Sequence, residues 1–308
     1  ATNHSSPRAQ SLNTHKPHRV RGRYSGKMPQ TSDPAVRRAV RQNAATLAMM
    51  GVTFVPIGRL RAQTAAPLEV ESKPLGKPAK PVGHSGDGGD RRATAQRLLD
   101  ELRDRYERDA PHKSFVTDHH NIVFGEGDPC ARLMFVGEAP GAEEDRTGRP
   151  FVGKAGQLLD KMILAMGLSR EQVYIANILK TRPPDNATPT AEECAACAPY
   201  LHDQIMIVRP EALVTLGLPA SRTLLNSAES MGSLRARWHD FIPSPALLRS
   251  EAARGLPAGW AVPVMPTYHP AFLLRAYTDE NRAKVWSDLR QVMERLSLRS
   301  GKKSATED

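Results

Sequence analysis

The 308-residue sequence predicts an α/β protein, a three-layer α/β/α arrangement around a central four-stranded parallel sheet. Three observations carry that expectation. Strand and helix patterns alternate four times, the signature of a parallel sheet covered on both faces. The first strand pattern, "ARLMFVG", reads as a fully buried strand. A chain that is 40% apolar is also long enough to close one sizeable core.

Taken in order, residues 1–34 and 63–90 are rich in Pro, Gly, Ser, Lys and Arg and poor in aromatics. Such segments cannot bury enough apolar area to offset ordering entropy, so they are read as disordered. Between them "AVRRAVRQNAATLAMMGVTFVP" (35–56) has the composition of a short basic helix. From about residue 92 the texture changes. "TAQRLLDELRDRYERD" (94–109) has helical spacing, "ARLMFVG" (131–137) is the first strand and "AGQLLDKMILAMGL" (155–168) is an amphipathic helix. A strand "VYIANIL" (173–179) follows, then a helix opened by Thr190 with Glu193 three positions on, a capping box. The strand "EALVTLG" (211–217) leads into the helix "PASRTLLN", and an irregular stretch covers 228–261. A last strand "VPVMPTYH" (262–269) precedes helices over 270–277 and 279–297. The organisation expected is a basic extension over 1–91, one folded domain over 92–300 and a tail over 301–308.

Charge is uneven along the chain. Residues 1–90 hold 14 Lys and Arg against 5 Asp and Glu, whereas residues 91–308 hold 29 against 28. The basic arm points to a polyanionic partner, nucleic acid before acidic membrane. No run of 18 or more apolar residues exists, which excludes a helical membrane span, and Ala1 to Lys27 lacks the apolar core of a secretory signal. Three cysteines, Cys130, Cys194 and Cys197, argue for a reducing compartment and against a disulfide framework. A monomeric, cytoplasmic, nucleoid-associated protein is expected.

In parallel sheets ligands collect at the carboxyl ends of the strands. That rule gathers Gly137 to Asp145, Asn177 to Pro184, Gly217 to Ser221 and His269 to Arg275 around one crevice. Asn177 interrupts an apolar strand, where it either bonds to backbone or reads a ligand; a donor beside an acceptor suits a base edge. His269 stands at the end of the last strand. Two motifs are set aside. "GRPFVGK" (148–154) fits a phosphate-cradling loop, but Ala155 replaces the hydroxyl that would hold magnesium and the preceding strand ends far upstream. "ECAAC" (193–197) is a lone C-x-x-C inside a helix, read as buried apolar cysteines.

"GEAPGAEED" with "GRPFVG", "YIANILKTRPP", "RPEALVTLG", "RARWH" and "PTYHPAFLLR" together resemble the family 4 uracil-DNA glycosylases, from about Asn121 to Leu296 and in family order. The resemblance implies a monofunctional hydrolase that removes uracil from DNA. A glycosylase extrudes the nucleotide and grips the base between an aromatic face and hydrogen-bonding groups. By family analogy Phe151 stacks on uracil, Asn177 pairs with O4 and N3–H, and Glu144 crowds C5 against a thymine methyl. Backbone amides around Gly137, Ala139 and Gly141 reach base carbonyls. His269 stabilises charge developing on O2. Glu138 positions or activates the attacking water, or stabilises the sugar cation by charge alone. Ala139 stands where other uracil glycosylases carry an aspartate. Leu273 or Arg275 is the expected wedge, and Arg235 and Arg237 the expected phosphate contacts.

The family holds a four-iron cluster on four cysteines. The matching positions here are Ala110, Lys113, Thr181 and Cys197, with one thiol among them. No metal and no cofactor is therefore expected, with Tyr106, Phe115, His119 and His120 packing the region instead. The alternative function is a non-catalytic DNA-binding relative, which would be expected to have lost Glu138, Asn177 or His269. A covalently self-trapping relative would carry an Arg-rich insertion with a histidine after "GRPFVGKAG", and none is present.

Overall fold

The computed structural model describes residues 88–298, so the expectations for residues 1–87 and for the tail lie outside the described residues. Helix α1 (Gly88–Asp109) begins upstream of the periodicity at 94. Six strands form one sheet: β1 (Glu126–Gly127), β2 (Leu133–Gly137), β3 (Tyr174–Asn177), β4 (Ala212–Leu216), β5 (His239–Phe241) and β6 (Val262–Thr267), in the order β1-β3-β2-β4-β6-β5.

The four inner strands are parallel, as expected, while β1 and β5 add antiparallel edges. The expected four-stranded parallel centre is thus present and is extended at both edges into a mixed six-stranded sheet. Length hides the edges in the sequence: strands of two and three residues show no periodicity to read. Edge β5 and the short helix α6 (Met231–Leu234) both lie in the stretch expected to be irregular.

The other helices are α2 (Ala142–Thr147), α3 (Lys154–Ala165), α4 (Ala191–Val208), α5 (Leu218–Leu225), α7 (Pro270–Arg275) and α8 (Asp279–Arg295) when each is numbered in chain order. Helix α4 opens on the expected box: Thr190 Oγ1 accepts from Glu193 N–H at 3.2 Å and Glu193 accepts from Thr190 N–H at 2.8 Å.

Successive strand residues feed opposite layers. Met134 and Val136 join a core with α1, α4 and α5, while Leu133 and Phe135 join one with α3, α7 and α8. Every residue of β2, β3 and β4 is buried, which is why these segments read as unbroken apolar runs. Each Val, Leu, Ile, Phe or Met side chain among them contributes about 1.5–3 kcal/mol through burial. The parallel pairing sets Gly137 directly beside Asn177 at one end of the sheet.

Candidate active site

A cavity of about 350 Å³ opens at that end. Its walls come from the segments after β2 (Glu138, Ala139, Pro140, Gly141, Glu144, Phe151), after β3 (Asn177, Pro183, Thr188) and after β6 (His269, Arg275). Three of the four expected strand ends converge. The fourth, Gly217 to Ser221, stays behind the wall: Gly217 adopts φ +92°, and a β-carbon there would lie 3.1 Å from His269. Its glycine gives His269 room rather than touching a ligand.

Close approach also explains Gly137. A β-carbon would sit 2.3 Å from Asn177 Oδ1 and 2.5 Å from the Phe151 ring, so only glycine lets both side chains fold over the strand end. Phe151 itself holds φ +50°, a left-handed conformation that costs a bulky residue about 1–3 kcal/mol and persists only when its surroundings over-determine it. Its ring centroid lies 5.6 Å from that of His269.

Asn177 is 1% exposed, and its Oδ1 has no hydrogen-bond partner among the described residues. A buried acceptor left unpaired costs about 1–3 kcal/mol, so it is poised for a donor that arrives with a ligand. Behind it the buried Lys180 Nζ donates to Asn177 O at 2.8 Å and to Gln204 Oε1, which fixes the strand end from the core side.

His269 caps α7, its Nδ1 accepting from Ala271 N–H at 3.1 Å. In the neutral ring the proton therefore resides on Nε2. Burial, aided by the Arg275 charge, pushes its pKa down to about 4, so the ring is neutral near pH 7 and still able to donate. Burial has the opposite effect on the Glu138 carboxyl, pushing it up to about 7 against a hydrogen bond from Thr188 and the charge of Arg275. Acid and base character are thus separated by environment within one cavity.

Glu144 is committed differently. Its carboxylate accepts from the amides of Gly141 at 3.1 Å and of Val152 and Gly153 at 2.8 Å each, tying the start of α2 to the loop before α3. Those last two amides belong to "GRPFVGK", so a carboxylate already fills the place where that motif would cradle phosphate. Asp145 braces the same loop from outside, accepting from the His120 and Asn121 amides at 2.8 and 3.0 Å.

Two expected DNA contacts are corrected. Arg235 turns inward, donating to Asp288 at 2.8 Å and to Lys284 O at 2.6 Å, because the fully buried Asp288 needs a charge partner. Leu273 is buried between α7 and the core, since it lies one turn from Pro270 on the inner face. Its neighbour Leu274 is the exposed residue, beside an exposed Arg275. Arg237 stays on the surface, paired with Glu229 at 2.6 Å. The sequence reading missed Thr188, four residues past the strand-end segment it considered, and Leu274, whose outward side follows from helical spacing in "PAFLLR".

The region of the four cluster positions is aromatic. Tyr106 is fully buried, stacked on His112 at 5.4 Å and edge-on to Tyr200 at 5.0 Å. His119 packs against His112, Phe115 lies against the same core, and His120 instead pairs with Asp145. Cys194 and Cys197 are both buried in α4, and burial raises both thiols.

The description Uracil DNA glycosylase superfamily matches residues 124–290. Among similar proteins is the Type-4 uracil-DNA glycosylase of Thermotoga maritima, 41% identical over 174 residues, 56% of this chain and 81% of the relative. The Type-4 enzyme of Saccharolobus solfataricus is 41% identical over 182 residues, 58% of this chain and 77% of the relative. That of Pyrobaculum aerophilum is 44% identical over 155 residues, 50% and 74% respectively.

The expectation of no cofactor is corrected: the relatives are Type-4 enzymes, and the family 4 enzymes that the sequence resembles hold a four-iron, four-sulfur cluster. The residues at the four positions do not fit it as they stand. Ala110 and Thr181 offer no thiolate, Lys113 is a cation, and the Thr181 hydroxyl is buried beside Tyr106. No catalytic step is therefore routed through a cluster. A glycine-gated cavity with a buried amide, a neutral histidine and a raised carboxyl thus joins that degree of likeness, and the chain belongs to the uracil-DNA glycosylase superfamily.

Proposed function

We infer that this protein removes uracil from DNA by hydrolysing its N-glycosidic bond, leaving an abasic site for base excision repair. The observation that carries this reading is the unpartnered Asn177 Oδ1 in the wall of a cavity flanked by Phe151 and His269. That oxygen accepts from uracil N3–H while the amide nitrogen donates to O4. Cytosine presents the reverse pattern and leaves both groups unpaired. Phe151 stacks on the extruded base. Glu144, held by three amides, forms the rigid wall beside C5.

As the C1′–N1 bond breaks, its electron pair moves onto the uracil ring. His269 Nε2–H donates to O2, a neutral donor aimed where charge develops. Ionised Glu138 faces the electron-poor sugar, orients a water at C1′ and takes its proton. Retention of Glu138, Asn177 and His269 in one cavity favours catalysis over a non-catalytic relative.

Arg237 and Arg275 meet phosphate, and Leu274 with Arg275 fills the gap left in the duplex. The basic segment over 1–91 serves as a tether to DNA. We read the protein as a monomer acting in the cytoplasm at the nucleoid; no described helix is long and apolar enough to cross a membrane, and all three cysteines are free.

Excision is tested on an oligonucleotide with one uracil, with alkaline cleavage to reveal abasic sites. The wild type should cleave, and Asn177→Ala and His269→Ala should each fall roughly 100-fold or more. A folded, DNA-binding wild type that leaves uracil in place would reject the enzymatic reading.

A further inference from the structure

The reading of Phe151 as the stacking aromatic raises the question of what holds it. Its left-handed backbone is not relieved locally: Gly156 at the start of α3 lies so close that a β-carbon would meet Phe151 O at 1.9 Å. The restraint comes from outside the cavity, from Arg170 in the turn between α3 and β3. That guanidinium is 15% exposed. Its Nη1 donates to Phe151 O at 3.0 Å and to Asp160 Oδ1 at 2.7 Å, its Nη2 to Pro150 O, and its Nε to Glu126 Oε1 at 2.7 Å. Glu126 is gripped from the other side by Arg149 at 2.7 Å. Two consecutive carbonyls, either side of the strained φ, are thereby clamped to edge strand β1 and to α3.

We propose that Arg170 is the positioning residue for the base-stacking aromatic, its planar fork locking the Pro150–Phe151 backbone so that the ring stands across the cavity from His269. The inference rests on the stacking role of Phe151. It explains why arginine suits the position: a lysine ammonium cannot reach two carbonyls and two carboxylates in fixed directions.

The test is a double-mutant cycle in uracil excision, with thermal unfolding followed alongside. Phe151→Ala and Arg170→Met should each lower kcat/KM about tenfold or more, the usual scale of one base–aromatic stack. If Arg170 acts through Phe151, the double variant should be within about twofold of Phe151→Ala alone. Arg170→Lys, which keeps the charge and guards against a misfolded methionine variant, should recover little of the loss. Independent losses that multiply in the double variant, or full activity in Arg170→Lys, would overturn the proposal while leaving Phe151 its role. A wild-type rate for Phe151→Ala would remove the stacking reading and this inference with it.

Discussion

Glu138 and His269 lie in one cavity, yet burial moves them in opposite senses: the carboxyl rises from 4.5 to about 7 and the imidazole falls from 6.5 to about 4. The pair therefore predicts an asymmetric pH profile. Single-turnover excision should climb as Glu138 ionises around neutrality and then level off, with no limb from His269, which is neutral throughout. Glu138→Gln should be slow and flat. A wild-type rate independent of pH across roughly pH 5.5 to 8.5 would remove Glu138 ionisation from the chemistry. The same shift makes Glu138 a stability cost. A carboxyl with its folded pKa raised favours the folded state when protonated and penalises it when charged, so the penalty grows from pH 4.5 to about 7 and stays above that. Glu138→Gln should accordingly raise stability at pH 8 by on the order of 1 kcal/mol, with the gain vanishing near the ordinary carboxyl pKa; melting curves at both pH values decide it.

Helix α7 separates two adjacent leucines by function. Leu273→Ala empties a packed site and should cost about 2–5 kcal/mol of stability. Leu274→Ala touches an exposed side chain and should leave melting nearly unchanged, while slowing excision from duplex several-fold and sparing single strands, where there is no gap to fill. Equal effects on both substrates would take Leu274 out of the wedge role. This element also shows how much of the protein was legible in its sequence. The "HPAFLLR" segment was found because a polar residue ended an apolar strand, but the reading weighed Leu273 and Arg275 and passed over Leu274, whose outward side depends on the helix phase set by Pro270 at its first turn. Inner strands were legible because burial on both faces writes an unbroken apolar run; β1 and β5 were too short to write anything. Asn177 and His269 were legible as polar interruptions at strand ends. Arg170 and Thr188 were not, since each acts on a residue far from it in sequence, and a surface-looking arginine in "SREQ" gives no local sign of the carbonyls it will bind.

At the scale of the whole molecule, charge and chemistry occupy different parts of the chain. Residues 91–308, which hold the cavity, are nearly neutral at 29 basic against 28 acidic residues, while residues 1–90 carry 14 against 5. A body so balanced attracts DNA weakly at long range, and several arginines on it are already paired, as Arg92 and Arg132 are. On the proposed reading of the arm as a tether, it supplies most of the sequence-independent affinity. Phosphate contacts release counterions, so each one adds about 0.9 to the slope of log K against log salt on duplex DNA. A variant without residues 1–87 should bind uracil-containing DNA more weakly at low salt, with a shallower salt slope, and converge on the full chain as salt rises. Its turnover at saturating DNA should be nearly unchanged, because every described residue of the cavity and its supports lies beyond residue 87. Parallel loss of turnover at saturation would mean that the arm helps to build the active site, and the division between tether and catalytic body would have to be redrawn.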